Sequence, residues 1–240
     1  MSSAGKTNSI YVDGLGSIVV RRDVRAKRFI FRVRQNRLLM TAPKQASEKE
    51  LMQAASSMHG KLRSLLEANK TPRIDLDFSI RTSYFELEIR EGNQEKFYAQ
   101  SELGKLLIIS PYQCSFEDPS LQEWLQKVIV EALRRNAKII LPPMLYALAR
   151  KHRITYQQLK INTSKTRWGS CSRIKNINLS AYLILLPKHL IEYVLLHELA
   201  HTKEMNHGPN FWAYLDQLTQ GKAQVLNQEL KAYQTSLFIP

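Results

Sequence analysis

The chain has 240 residues, enough for one large domain or two small ones, and its 44% hydrophobic and 23% charged content excludes a disordered or fibrous protein. No apolar run is long enough to cross a bilayer, so no membrane partner is expected. The formal charge is +14, and 2 cysteines exclude a disulfide framework. With no apolar leader segment behind a basic start, the chain reads as cytoplasmic.

The first 115 residues read as β-rich. "SIVVRRD", "KRFIFRVRQNRLLMTAP", "SYFELEIREGNQEKFYAQ" and "KLLIISPY" are β-branched or aromatic runs, with Gln35-Asn36 and Gly92-Asn93 placed where hairpin turns are expected. Arg28, Arg32 and Arg34 alternate with Phe29, Phe31 and Val33, which on a strand sends arginines to one face and apolar residues to the other. Such a face is either the solvated side of an antiparallel sheet or an electrostatic footprint for nucleic acid or another polyanion. Ser47 followed by Glu50 forms a capping box that predicts one helix running to about Ala68.

From Asp118-Pro119 the spacing turns helical, and Pro142-Pro143 is expected to break or kink that helix. Two short strand-like segments come next, "QLKINTS" and "TRWGSCS", then "NINLSAYLIL". The change of pattern sets a boundary that divides the chain into 1–115 and 116–240. No internal repeat and no Gly/Ser linker is evident in the sequence.

Half of the chain's six histidines have a number above 196: His197, His201 and His207. "KHLIEYVLLHELAHTKEM" is apolar nearly all round, as a buried helix is, and burying two histidines and a glutamate in it costs desolvation energy unless they have partners. His197 and His201 are one turn apart on one face, with Cα atoms about 6 Å apart, so their imidazoles can converge on one ion. Glu198 points off that axis within reach of a water on the metal, the His-Glu-x-x-His arrangement of zinc peptidases. His207 lies six residues beyond His201 and is the favoured third ligand, with Glu229 the alternative. The residue three positions after His201 is Glu204 rather than glycine, so the chain must turn otherwise, with Asn206 in a left-handed conformation the proposed means. Cys171 could close the fourth position as a thiolate, which would make the site structural or latent.

"RWGSCS" precedes the histidine helix. Trp168, Gly169 and Ser170 read as a strand with a point of close backbone approach, and an edge strand beside a metal helix suits an extended substrate. Asn178 and the backbone near Gly169 are candidates for stabilising an oxyanion.

Taken together, "RWGSCS", "INLSAYLILLPKHLIEYVLLHELAH" and "KEMNHGPNFW" resemble the YgjP-like predicted metal-dependent hydrolases, related to the SprT-type zinc peptidases. "VRRDVRAKRFIFRV" and "MTAPKQASEKEL" resemble the N-terminal part of the same family. The resemblance implies an α+β protein with a zincin-like catalytic half, Zn2+ held by His197, His201 and His207, Glu198 as the catalytic carboxylate, and a protein or peptide as substrate. SprT-type relatives include proteases acting on proteins crosslinked to DNA, which gives the basic N-terminal face a second reading. The rival function is a nucleic-acid-associated protein with a structural or latent zinc site.

Overall fold

The structure is a computed structural model that describes residues 8–34, 37–68 and 73–233. The architecture is α+β, and the chain divides into a unit Met1–Thr71 and a unit Pro72–Pro240. The change of pattern near residue 116 falls inside the second unit.

In the first unit, strands β1 (Asn8–Val12), β2 (Gly16–Asp23), β3 (Ile30–Arg34) and β4 (Arg37–Pro43) form one sheet in the order β1-β2-β4-β3. The outer pairs are antiparallel and the central β2–β4 pair is parallel. Alternation sends Ile18, Val20, Leu38 and Met40 to one face, where they are buried with Leu51, Ala55 and Leu62. Phe29, Phe31 and Val33 pack on the same core while Arg28 and Arg32 are exposed, as the alternation predicts; the side chain of Arg34 and the Gln35-Asn36 turn lie outside the described residues.

Helix α1 (Glu48–Ser57) opens with the expected capping box: the Glu50 amide donates to Ser47 Oγ at 3.3 Å, and the Ser47 amide donates to Glu50 Oε2 at 2.7 Å. The predicted single helix is two. The ladder steps aside at Met58, whose N–H turns to the carbonyls of Ala55 and Ser56, and α2 runs His59–Ala68. His59 Nε2 lies 2.9 Å from the Asp13 carbonyl. Gly14 makes room for that contact: its φ is +72°, and a Cβ there would sit 2.9 Å from the His59 ring.

The second unit opens with strands β5 (Ile80–Arg81), β6 (Glu86–Gly92), β7 (Tyr98–Glu102) and β8 (Lys105–Pro111), in the order β5-β6-β8-β7. Here too the outer pairs are antiparallel and the central pair parallel. This corrects two expectations. Gly92-Asn93 does not close a hairpin, because β6 pairs with β8 and not with the next strand in the chain. An internal repeat is present as well. β3–β4 and β7–β8 are registered alike, Ile30 opposite Thr41 and Tyr98 opposite Ile109, and the buried pairs Ile18–Leu38 and Val20–Met40 recur as Leu87–Leu106 and Ile89–Ile108. The sequence trace is "RLLMTAPKQAS" against "KLLIISPYQCS".

In this copy the sheet leads into one helix, α3 (Pro119–Lys151), capped by Asp118. The prolines do not break it: α3 is 33 residues long with Pro142 and Pro143 inside. Their missing N–H groups leave the carbonyls of Lys138 and Ile139 without helical donors, and both residues are exposed, so water can serve those carbonyls.

The rest of the unit is strands β9 (Gln158–Asn162), β10 (Gly169–Cys171) and β11 (Asn176–Ser180), a 3-10 turn Ala181–Leu185, and helices α4 (Lys188–Ala200), α5 (Pro209–Leu218) and α6 (Ala223–Leu230). The small sheet has the order β10-β11-β9, which leaves β10 at an edge. One core joins the β5–β8 sheet, α3, the 3-10 turn and α4. Among the described residues, no helix is long and apolar enough to cross a membrane.

Candidate metal centre

α4 starts after Pro187, and Leu190, Ile191, Tyr193, Val194, Leu195, Leu196 and Leu199 are all buried. A helix wrapped in core on most sides holds its last turn rigidly, and that turn carries His197 and Glu198, with His201 as the C-cap. Beyond it, the amides of Lys203 and Glu204 bond the Ala200 carbonyl, and the Gly208 amide bonds the Asn206 carbonyl at 2.7 Å. These bonds turn the chain back to His207 without a left-handed residue: Asn206 is not among the positive-φ positions, contrary to expectation.

The three histidines converge. Candidate ligand atoms of His197, His201 and His207 all lie within 4.8 Å of one another. His197 Nε2 is 3.2 Å from His201 Nε2 and 3.1 Å from His207 Nε2. Nitrogens bound at roughly 2.0–2.1 Å around a tetrahedral metal lie about 3.3 Å apart, so both spacings from His197 match a coordination shell, and His201 and His207 lie within 4.8 Å of each other. Protons alone do not satisfy it. His201 Nδ1 is 3.0 Å from the Glu204 carbonyl, which only accepts, so neutral His201 turns a lone pair inward at Nε2. His197 Nε2 has one in-plane position, holding either a proton or a lone pair, yet faces two nitrogens. A cation takes all three lone pairs. Burial, then the neighbouring charges of His201 and His207, holds His197 down at about pKa 3, and burial lowers His201 as well, so both favour the neutral form a metal needs.

Phe211 on α5 is the shared wall of the site. Its ring is fully buried, stacks on His201 at 4.5 Å, and meets His197 and His207 edge-on at 5.0 and 4.7 Å. In the sequence Phe211 reads only as part of an apolar helix face, and nothing in the spacing marks it as a neighbour of three imidazoles.

Glu198 is 5% exposed, and its Oε2 is buried without a hydrogen-bond partner. Burial pushes its carboxyl up to about pKa 8, against the opposing charge of exposed Arg167. The carboxyl lies flat against Gly169: a Cβ at that position would sit 2.6 Å from Glu198 Oε1 and 2.7 Å from its Cγ. Gly169 is therefore the close-approach point that "TRWGSCS" suggests, and what approaches it is Glu198.

The other residues of that segment are placed differently. Ser170 pairs with Asn178 across β10–β11, with Asn178 Nδ2 at 3.5 Å from Ser170 Oγ. Strand alternation puts these two, with Trp168, on the sheet face opposite to the one Gly169 turns toward α4, so their side chains are not brought to the histidines. Cys171 is outside the histidine cluster, and burial, then the Glu198 charge, pushes its thiol up to about pKa 11, away from the thiolate a metal needs. Glu229, the alternative third ligand, pairs instead with His189 at 2.7 Å.

A histidine triad built from the end of a buried helix and the loop after it, with a desolvated carboxyl beside it, defines a metal-dependent hydrolase type of site. The sequence pattern of the YgjP-like metallopeptidase domain matches residues 27–233, and the chain belongs to that family. No curated protein sequence matches it. Among solved structures, it is similar to the metallopeptidase zymogen abylysin of Pyrococcus abyssi, with 20% identity over 39% of this chain and 94% of that one, at a TM-score of 0.35. The zymogen jannalysin of Methanocaldococcus jannaschii is similar at 22% identity, covering 38% of this chain and 92% of that one, at a TM-score of 0.33.

Proposed function

We propose that the chain is a zinc-dependent peptidase in which His197, His201 and His207 hold the metal and Glu198 is the general base. The observation that carries this reading is the buried Glu198 Oε2, unpartnered beside three converging imidazoles. Three nitrogen ligands with no thiolate nearby suit zinc with an open fourth position. When bound, zinc supplies a Lewis acid for the scissile carbonyl and makes a water acidic near neutral pH. Glu198 takes the proton of the attacking water at its free oxygen and later hands it to the leaving amine. Its buried, unpartnered oxygen can accept that proton and release it again, and in the metal-free chain burial raises the carboxyl above the usual carboxylate range. Phe211 and the core around α4 keep bulk water from the proton's path.

The substrate backbone has a docking edge on β10. The Ser180 amide bonds the Trp168 carbonyl and the Ser172 amide bonds the Asn176 carbonyl, so in this antiparallel ladder Trp168, Ser170 and Ser172 turn their main-chain groups to β11. Gly169 and Cys171 turn theirs to the free edge, where an extended peptide can pair with them beside Glu198. A cytoplasmic setting suits the two free cysteines.

The test is hydrolysis of an unfolded protein mixture by the zinc-loaded chain and by Glu198→Gln, with new N-termini read by mass spectrometry and metal content by atomic emission. New termini from the wild type only, at equal zinc content, support the reading. Equal cleavage by both, or zinc lost from Glu198→Gln, overturns the role of Glu198.

A further inference from the structure

The first unit has a feature that the peptidase reading does not use. Among the described residues β3 is an edge strand of its sheet, so alternate residues along it turn their N–H and C=O groups to a side that holds no strand. Between β3 and α2 runs an open groove of about 380 Å³. Phe29 and Phe31 form its strand side, Met58 and Leu65 its helix side, and Arg28 and Lys61 stand at its rim. Both cations are exposed, neither is in an ion pair among the described residues, and no lining residue is acidic.

The repeated sheet supplies a control. By register, Phe97 stands before β7 where Phe29 stands before β3. Phe97 has aromatic neighbours: Phe116 meets it edge-on at 6.0 Å, and Trp124 of α3 lies against it at 5.7 Å. Helices α1 and α2 carry no phenylalanine, tyrosine or tryptophan that could cover Phe29 in the same way. Both phenylalanines are half-buried, but the second copy sets two aromatic rings against Phe97, whereas among the described residues the first sets none against Phe29, beside a strand edge that has no partner strand.

We propose that the groove captures an extended acidic polypeptide, which pairs along β3 as a fifth strand, drops apolar side chains between Phe31 and Leu65, and sets its carboxylates against Arg28 and Lys61. Strand addition draws its affinity from main-chain hydrogen bonds and its selectivity from the pocket under alternate side chains. The apolar floor favours a polypeptide over nucleic acid, which would want aromatic faces exposed among the cations for stacking. Capture needs no metal and no Glu198, so it stands or falls apart from the peptidase reading.

The experiment is fluorescence anisotropy of the full chain with a labelled peptide in which glutamate alternates with valine and phenylalanine. Saturable binding is expected. Arg28→Glu with Lys61→Glu should weaken it by about tenfold, as two exposed charge pairs turn repulsive. The same variant should prefer the peptide with lysine in place of glutamate, and N-methylation of alternate peptide amides should abolish binding by either protein. Circular dichroism and thermal melting monitor the variant's fold; Met58→Glu, at an exposed position, repeats the test if the double variant melts early. The proposal is overturned by a peptide that fails to saturate, by equal affinity in wild type and variants, or by tolerance of N-methylation. It is overturned equally by single-stranded DNA that binds more tightly than the peptide and is lost in the same variants, which would assign the groove to nucleic acid.

Discussion

The sheet β1–β4 and the sheet β5–β8 share strand order, pairing sense and register, but they are completed by different partners. The first is closed by two short helices and keeps a core of its own. The second is closed by the 33-residue α3, and its core runs on without interruption into α4. Among the described residues the first therefore offers surface, a strand edge without a partner strand beside a basic groove, while the core of the second supports the helix that carries His197 and Glu198. One scaffold, used twice, is thus given to binding in one place and to support in the other by a change in the helices that its fourth strand leads into.

The division can be broken most directly at Glu198. Glu198→Gln should lower turnover by about 10²–10⁴-fold, the usual worth of a general base, while peptide capture by the β3 groove is unchanged. Loss of both functions in steady-state assays would show the two regions to be one site. His207→Ala removes one of three ligands, and dialysed protein should then hold sharply less zinc; full occupancy by atomic emission would remove His207 from the metal shell. Gly169→Ala puts a methyl group where the Glu198 carboxyl lies and should cost about 10²-fold in kcat with zinc retained, as expected for misplacing a reacting group by about 1 Å. Wild-type kcat in that variant would mean the carboxyl does no positioned chemistry.

The two cores can be compared at equivalent buried positions. Met40→Ala and Ile108→Ala should each destabilise by about 2–5 kcal/mol in denaturant melts. Only Ile108→Ala should also reduce zinc content and turnover, because its core is the one continuous with α4. The smallest effect is on pH dependence in the metal-free protein. Glu198 has a folded pKa of about 8, raised from 4.5, so its contribution to stability is complete below 4.5 and is lost as pH rises toward 8. His197 works in the opposite sense but only below 6.5, where its unfolded form begins to take up protons. Between pH 6.5 and 8 the wild type should therefore lose about 2 kcal/mol that Glu198→Gln keeps. Parallel melting curves for the two proteins across that window would contradict the burial of a titrating carboxyl.

Local chemistry was what could be read from the residues alone. The capping box at Ser47 and Glu50, the alternation around Phe29 and Phe31, and the spacing of His197 and His201 each depend on residues within a turn or two of one another. What escaped depends on distant partners. The parallel pairs β2–β4 and β6–β8 join strands separated by a whole intervening strand, so Gly92-Asn93 looked like a hairpin turn when it was the exit from one arm of a crossover. The repeat was hidden because a pleated sheet asks only for apolar residues in alternation; Met40 and Ile108 fill one role with different side chains. Pro142 and Pro143 looked like a break because the sequence does not tell whether the carbonyls they orphan face solvent. The fit of Gly169 to Glu198 joins a strand to a helix, and no spacing rule reaches across that distance.

The position of the histidines on α4 has an electrical consequence. His197, Glu198 and the cap His201 all sit at the carboxyl end of the helix, where the aligned peptide dipoles sum to about half an elementary negative charge. Three imidazoles are neutral donors, and the backbone supplies part of the counter-charge that a divalent cation would otherwise take from a coordinating carboxylate. That leaves the one buried carboxylate of the site uncommitted as a ligand and available to carry protons. Had the same motif been placed on the first turn of the helix, the field would have opposed the cation and favoured an ionised, tightly held Glu198 instead.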